Sequence, residues 1–407
     1  MVAPNGIGRQ SYWDNCLRGQ AGIGPVTAFD CHRYRCRFAA QITDWQPQHV
    51  LGSTGLRTLD RTTLLALVAA KLALDDAGLD HTLAGPEIGV VLGSTMGSLR
   101  SISDFDLAGL RDGPRYVNPA HFPNAVINSP ASQVSIRFRL QALNATIASG
   151  FTASLDAIGY ALDMLGLDRA RSVLAGGAEE LCWQTFAGFY HLGALSTSQD
   201  DSPPRFAPMH HDRTGTLLGE GAAVLMLEST DQAVRRRASV WAEILGYGTA
   251  FSPTGPFRQD QRAQAAVEAM RAALTAADIE PEAVDLISTS ANSTWGGDAM
   301  EATAIQTVFG SNVSKIPIMA VKSLVGESFS AAGALQVAAT IGAMRAGHVP
   351  PTVPFGYRGS PPAPLLPGIT HAPRLATIRT SLVLGVSLTG VSSALVIRNA
   401  EPGGCHG

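Results

Sequence analysis

The chain has 407 residues, 45% of them hydrophobic and 15% charged, with a formal net charge of -3. That apolar content suffices for a large buried core and excludes a disordered chain, and at roughly 150 residues per domain the length fits two or three domains or one duplicated unit. No basic stripe with interleaved aromatics points to nucleic acid, and the longest apolar runs, such as Ala222–Leu227 and Leu382–Val386, fall far short of the roughly 20 residues that span a bilayer, so neither kind of partner is expected.

In chain order, Thr62–Leu79 has helical apolar spacing and ends at Gly78. A strand is predicted at Ile88–Leu92, followed by the small-residue turn GSTMGS. Further strands are predicted at Ser172–Ala175 and Ala222–Leu227, with a loop over Ser196–Arg213 between them. The pattern then repeats: a helix at Ala263–Ile279, a strand at Val284–Ser288 and the turn TSANST. Strands at Ile316–Val321, Ser381–Val386 and Ala394–Arg398 complete the series, with a Pro-rich loop over Val349–Arg374. The strands are short apolar runs without strict alternation, as in sheets covered by helices on both faces, and they alternate with helices, which gives the α/β class. The recurring helix, strand and turn read as two copies of one unit; the competing reading is two unrelated α/β units alike by chance. The halves are expected over residues 1–235 and 236–400, meeting near Arg235–Trp241, with a tail at 401–407.

Five scattered cysteines (Cys16, Cys31, Cys36, Cys182 and Cys405) argue for a reducing cytosol, hence a cytoplasmic protein. Cys31, His32 and Cys36 lie close together without a second ligand pair at suitable spacing, so no metal is expected, and no cofactor.

Motifs along nearly the whole chain resemble the β-ketoacyl synthases. They are APNGIGRQSYWDNCLRGQAGI (Ala3–Ile23), FPNAVINSPASQVSI (Phe122–Ile136), LDAIGYA (Leu155–Ala161), AGGAEE (Ala175–Glu180), LGEGAAVLMLE (Leu218–Glu228), GGDAMEATAIQTVFG (Gly296–Gly310) and VKSLVGESFSAAGA (Val321–Ala334). Their order and spacing are together specific. The resemblance implies a duplicated thiolase-like fold, each half a mixed sheet flanked by helices, in five α-β-α-β-α layers. It also locates three catalytic positions. An active member needs a cysteine at a strand-to-helix elbow to hold the acyl thioester, and two histidines for decarboxylation and enolate stabilisation. The cysteine motif T-A-C-x-S-G is matched by ASGFTAS (Ala148–Ser154), which puts Phe151 at the nucleophile. The first histidine motif is matched by SANSTWGGD, which puts Ser290 at the histidine while Thr294, Gly297, Asp298 and Glu301 are kept. The second is matched by KSLVGE, which puts Glu327 at the histidine and keeps Lys322 and Ser323. A benzyl group forms no thioester, so acyl loading by the family route is excluded.

The resemblance therefore implies the silent paralogues called chain length factors, which pair as heterodimers with an active ketosynthase and meet the acyl carrier protein through that complex. In that subfamily the cysteine position usually holds glutamine; Phe151 sets this chain apart from the aromatic-polyketide branch and points to reduced or polyene chains. Strand Asn144–Ala148 (Asn144, Ala145, Thr146, Ile147, Ala148) is expected to pair with the partner, and Val126, Ile127, Asn128 and Ser129 to line the product tunnel. Phe151 is expected to plug the vacated pocket, and Lys322, Thr294, Asp298 and Glu301 to serve as a structural network that includes a Lys322–Glu327 pair. Two alternatives stay open: an acyltransferase or hydrolase using Ser149, Thr152, Ser154 or Ser290, and a starter-unit decarboxylase. The family's first strand precedes A-P-N-G; here only Met1 and Val2 do, so a truncated start is expected.

Overall fold

The computed structural model describes residues 1–79, 85–198, 202–254, 260, 262–357 and 359–400; the expected tail lies outside them. Strands are numbered in chain order: β1 (Val2–Ala3), β2 (Gly6–Ile7), β3 (Ile23–Pro25), β4 (Phe38–Ala40), β5 (Ile88–Gly93), β6 (Asn144–Ile147), β7 (Ser172–Glu179), β8 (Gly221–Glu228), β9 (Ala242–Phe251), β10 (Leu286–Ser288), β11 (Ile318–Met319), β12 (His348–Val349), β13 (Arg374–Leu375), β14 (Thr380–Val386) and β15 (Val391–Asn399). Two mixed sheets dominate, ordered β2-β1-β8-β7-β5-β6 and β11-β10-β14-β15-β9.

Set side by side, β1-β8-β7-β5-β6 and β9-β15-β14-β10-β11 follow the same plan. In each, the last three strands are parallel and the first two pairings antiparallel. Chance similarity of two units does not reproduce the order and direction of all four strand pairings, so the repeat is a duplication. The helices Ala153–Gly166 and Ala332–Ala346 fill the middle layer, packing Leu155, Ile158, Leu335 and Val337 against Val91 and Val173 of one sheet and Val383 and Leu395 of the other. The outer layers are Arg61–Ala77 with Ser129–Phe138 on the first sheet, and Gln264–Ala277 with Trp295–Phe309 on the second. This is the five-layered, duplicated thiolase-like fold.

Local chemistry explains the boundaries. The Arg61–Ala77 helix starts where the Asp60 carboxylate accepts the Thr63 N–H and stops at Gly78, whose φ of 62° suits the left-handed cap. Strand β11 is shorter than the apolar run Ile316–Val321 because Pro317 has no N–H to give to a ladder.

The two edge strands differ. Strand β11 is covered on its free side by Gly368 and Ile369, with the Ile318 N–H donating to Gly368 O at 2.9 Å. Its counterpart β6 pairs with β5 alone among the described residues.

Candidate functional site

The elbow after β6 is where the first expected site residue sits. The chain turns at Gly150, whose φ of 81° and tight contact with Ser387 (an added Cβ would lie 2.4 Å from its Oγ) leave room only for glycine. A short turn then carries Phe151 into the N-terminus of Ala153–Gly166. The Phe151 ring meets Phe329 at 5.1 Å and Phe189 at 6.2 Å, and those two meet each other at 5.2 Å. These separations suit edge-on and tilted aromatic packing, so the three rings form one buried cluster.

Beside it, the other two positions converge. Ser290 follows β10, Lys322 opens the short helix after β11, and Glu327 follows the tight Gly326 turn. The Lys322 ammonium donates to Glu327 Oε2 at 2.8 Å and to Ser290 Oγ at 3.1 Å. The same Glu327 oxygen accepts Asn292 Nδ2 at 2.8 Å, and Oε1 accepts the Phe329 N–H at 3.0 Å. Lys322 and Glu327 are both fully buried. Ser290 Oγ also accepts the Val386 N–H at 3.1 Å.

Two more carboxyls brace the loops. Asp298 accepts the N–H groups of Met209, Asn292 and Ser293 at 2.7–3.1 Å, with Arg213 Nε 3.9 Å away. Burial pushes its carboxyl up to about 6 against those donors. Glu301 accepts the Ser290 N–H at 2.6 Å, and burial pushes it up to about 8, with Lys322's charge pulling the other way. The hollow between Phe151, Ser290, Asn292, Asp298, Glu301 and Leu388 has a volume of about 20 Å³, room for about one water.

The structure thus brings Phe151, Ser290, Lys322 and Glu327 together. It does not bring the expected tunnel residues to that hollow. Val126 and Ile127 are each 39% exposed and Asn128 is exposed, on a surface stretch, while Ser129 is buried at the start of Ser129–Phe138. Residues Asn144–Ile147 form β6, and Ala148 follows in the elbow.

The alternative nucleophiles are already engaged. Ser149 and Thr152 both donate to Asp156, a carboxylate that also accepts Tyr247 and Ser393. Ser154 Oγ accepts the Ala334 N–H at 2.9 Å. His210 is buried with Nδ1 on Pro208 O, and no hydrogen bond joins it to any of these serines among the described residues. Sequence reasoning missed Phe189, Phe329, Asn292 and Asp156. Phe329 and Asn292 lie inside quoted motifs, but nothing local shows which partner each meets.

Residues 1–233 match the β-ketoacyl synthase N-terminal domain, and 241–356 match the β-ketoacyl synthase C-terminal domain. The chain belongs to the β-ketoacyl synthase family. It is 34% identical over 355 residues to 3-oxoacyl-[acyl-carrier-protein] synthase 2 of Coxiella burnetii (strain RSA 493 / Nine Mile phase I), covering 87% of this chain and 86% of that one. Among solved structures it is similar to the ishigamide ketosynthase/chain length factor, with a TM-score of 0.88 and 29% identity over 98% of this chain and 97% of the other. A type II polyketide synthase acyl-carrier protein in complex with its ketosynthase bound to the hexaketide matches with a TM-score of 0.87 and 26% identity, over 98% and 97%. Among the described residues no helix is long and apolar enough to cross a membrane.

Proposed function

We propose that this ketosynthase-family chain is a non-catalytic chain length factor, pairing with an active ketosynthase and shaping the tunnel that limits polyketide or polyene length. One observation carries the reading: the nucleophile position holds a benzyl group packed into a three-ring cluster, beside a hollow of about 20 Å³ that admits no acyl chain. The neighbouring histidine positions have become a serine and a glutamate that hold Lys322. The open edge of β6 supports a partner, because an uncovered strand edge leaves N–H and C=O groups for a second chain. Val126, Ile127 and Phe122 are exposed close by in sequence, as apolar side chains awaiting a protein surface are. Acyl carrier protein would then meet the chain through the complex.

Co-expression with a cysteine-bearing ketosynthase, followed by mass measurement of the purified species, tests this. A 1:1 heterodimer is expected. A homodimer that ignores such a partner would sink the reading.

A second reading rests on the Ser290–Lys322 contact, since serine and lysine together serve some acyl-transfer enzymes. Against it, Lys322 is committed to Glu327, and Ser290 Oγ also accepts a backbone N–H. Intact-mass measurement after exposure to an acyl thioester separates the two: an adduct on Ser290 favours the second reading, and an unmodified chain favours the first.

A further inference from the structure

A cleft much larger than the degenerate hollow lies elsewhere in the chain. It is an open cleft of about 960 Å³ between the Gln41–Gln46 segment, the first turns of Leu99–Asp112 and the start of Trp183–His191. That volume lies at the upper end of the range for small-molecule pockets.

Its lining has an unbalanced set of acceptors. Glu180 is 3% exposed, and one carboxylate oxygen accepts the Arg100 N–H at 3.1 Å; no other hydrogen bond to that carboxylate exists among the described residues. Gln184 Oε1 is buried with no donor. The two lining arginines are occupied. Arg61 is held by Glu220 at 2.6 Å, and Arg100 Nε faces Asp104 at 3.8 Å. Asp44, also in the lining, has no ion pair among the described residues. The cleft thus holds more carboxylates (Asp44, Asp104 and Glu180) than guanidinium groups, and each of its two arginines already faces a carboxylate, although the Arg61 charge also reaches Glu180. It also has aromatic walls: Phe29, Trp45, over whose ring the Arg61 guanidinium already lies at 5.1 Å, and the half-exposed Trp183, whose ring is the one left for a ligand. A buried carboxylate, an orphaned carbonyl oxygen and an indole face are together what an ammonium group on a ring-bearing body needs, through charge-assisted hydrogen bonds and cation–π contact.

We propose that this cleft binds a small organic primary amine with an aromatic body, its ammonium between Glu180 and Gln184 and its ring against Trp183. The site is separate from the degenerate hollow and does not depend on the chain length factor reading.

Charge at Glu180 adds a readout. Burial pushes its carboxyl up to about 7, and Asp60, Glu179 and Glu220 raise it further, against the Arg100 N–H. The cleft also carries Arg61, Arg100, Asp44 and Asp104. Below about pH 7 the carboxyl holds a proton that an ammonium must displace, so amine affinity falls as pH drops, by up to about tenfold per unit.

Calorimetric titration of the full chain with tryptamine and with indole-3-propionate tests the proposal. Saturable tryptamine binding at pH 8 is expected, with no saturation by the carboxylate analogue and tighter binding at pH 8 than at pH 6. Glu180→Gln should weaken tryptamine at least tenfold. Because Glu180 also holds a helix N-terminus, Gln184→Leu and Trp183→Ala serve as independent variants, each expected to weaken it several-fold while the thermal midpoint stays near that of the parent. The proposal is overturned if tryptamine fails to saturate, if the two ligands bind alike, or if folded Gln184→Leu and Trp183→Ala chains bind tryptamine as the parent does.

Discussion

Lys322 and Glu327 form a fully buried ion pair, 2.8 Å between Nζ and Oε2, at two positions that the resemblance assigns to one motif. The lysine is the family's; the glutamate stands where a histidine is expected. Asn292 and the Phe329 N–H satisfy the rest of the carboxylate, and Ser290 Oγ takes a second lysine proton. These contacts tie the loops after β10 and β11 into a buried joint.

Breaking that joint on one side leaves a buried charge. Lys322→Met and Glu327→Gln are each expected to cost about 3–5 kcal/mol, whereas Lys322→Met with Glu327→Leu should cost less than either single change. Chemical denaturation of the three variants checks the non-additivity.

The aromatic cluster makes a second prediction. Phe151→Ala removes one of three interlocked rings and should destabilise the chain by about 3–5 kcal/mol, read as a lower denaturation midpoint. Phe151→Cys should restore no condensation, because Ser290 and Glu327 still occupy the two histidine positions. Product analysis with malonyl-loaded carrier protein checks it.

Glu301 gives a pH signature. Its carboxyl is raised from 4.5 to about 8 by burial, so the folded chain holds that proton more tightly than the unfolded one. The resulting stability is complete below about pH 4.5 and is lost as pH rises to about 8, by at most about 1.4 kcal/mol per pH unit. His210 acts in the opposite sense: burial lowers it to about 4, so it costs stability as pH falls below 6.5. Comparing the parent with Glu301→Gln cancels the histidine. The parent should gain on the variant from pH 8 down to pH 5, and the difference between them should stay constant above about pH 8.

The open edge of β6 is testable without touching the core. Leu143 O and Ile147 O accept from the β5 side, so Thr146, at the alternate parity, points its N–H outward. Thr146→Pro should leave the chain folded and weaken the ketosynthase complex at least tenfold, measured by surface binding.

Much of this was legible in the sequence. Thr62–Leu79 and Ala263–Ile279 announced themselves by period, and the order of the flanking motifs singled out Phe151, Ser290 and Glu327, which the structure places side by side. The register of Ser290 followed from Thr294, Gly297 and Asp298, kept a few residues on. What was hidden is long-range. Phe189, Phe329 and Phe151 come from three separate stretches, and no local pattern says that their rings meet. Nor does the sequence show that Asp156 gathers hydroxyls from Ser149, Thr152, Tyr247 and Ser393. The free edge of β6 and the covered edge of β11 were equally invisible, because covering depends on where Gly368 and Ile369 return.

The surface position of Val126 and Ile127 bears on product length only if a partner closes over them. Val126→Phe and Ile127→Phe should then shorten the product of the reconstituted pair while leaving complex formation intact. Product masses unchanged in both variants would remove these residues from the tunnel.

A chain length factor contributes shape and no chemistry of its own. Malonyl-carrier turnover, measured for the chain alone, for a cysteine-bearing ketosynthase partner alone and for the co-purified pair, tests it most directly. No turnover by the chain alone and elongation by the pair to a defined length are expected; turnover or condensation by the chain alone would overturn the proposed function.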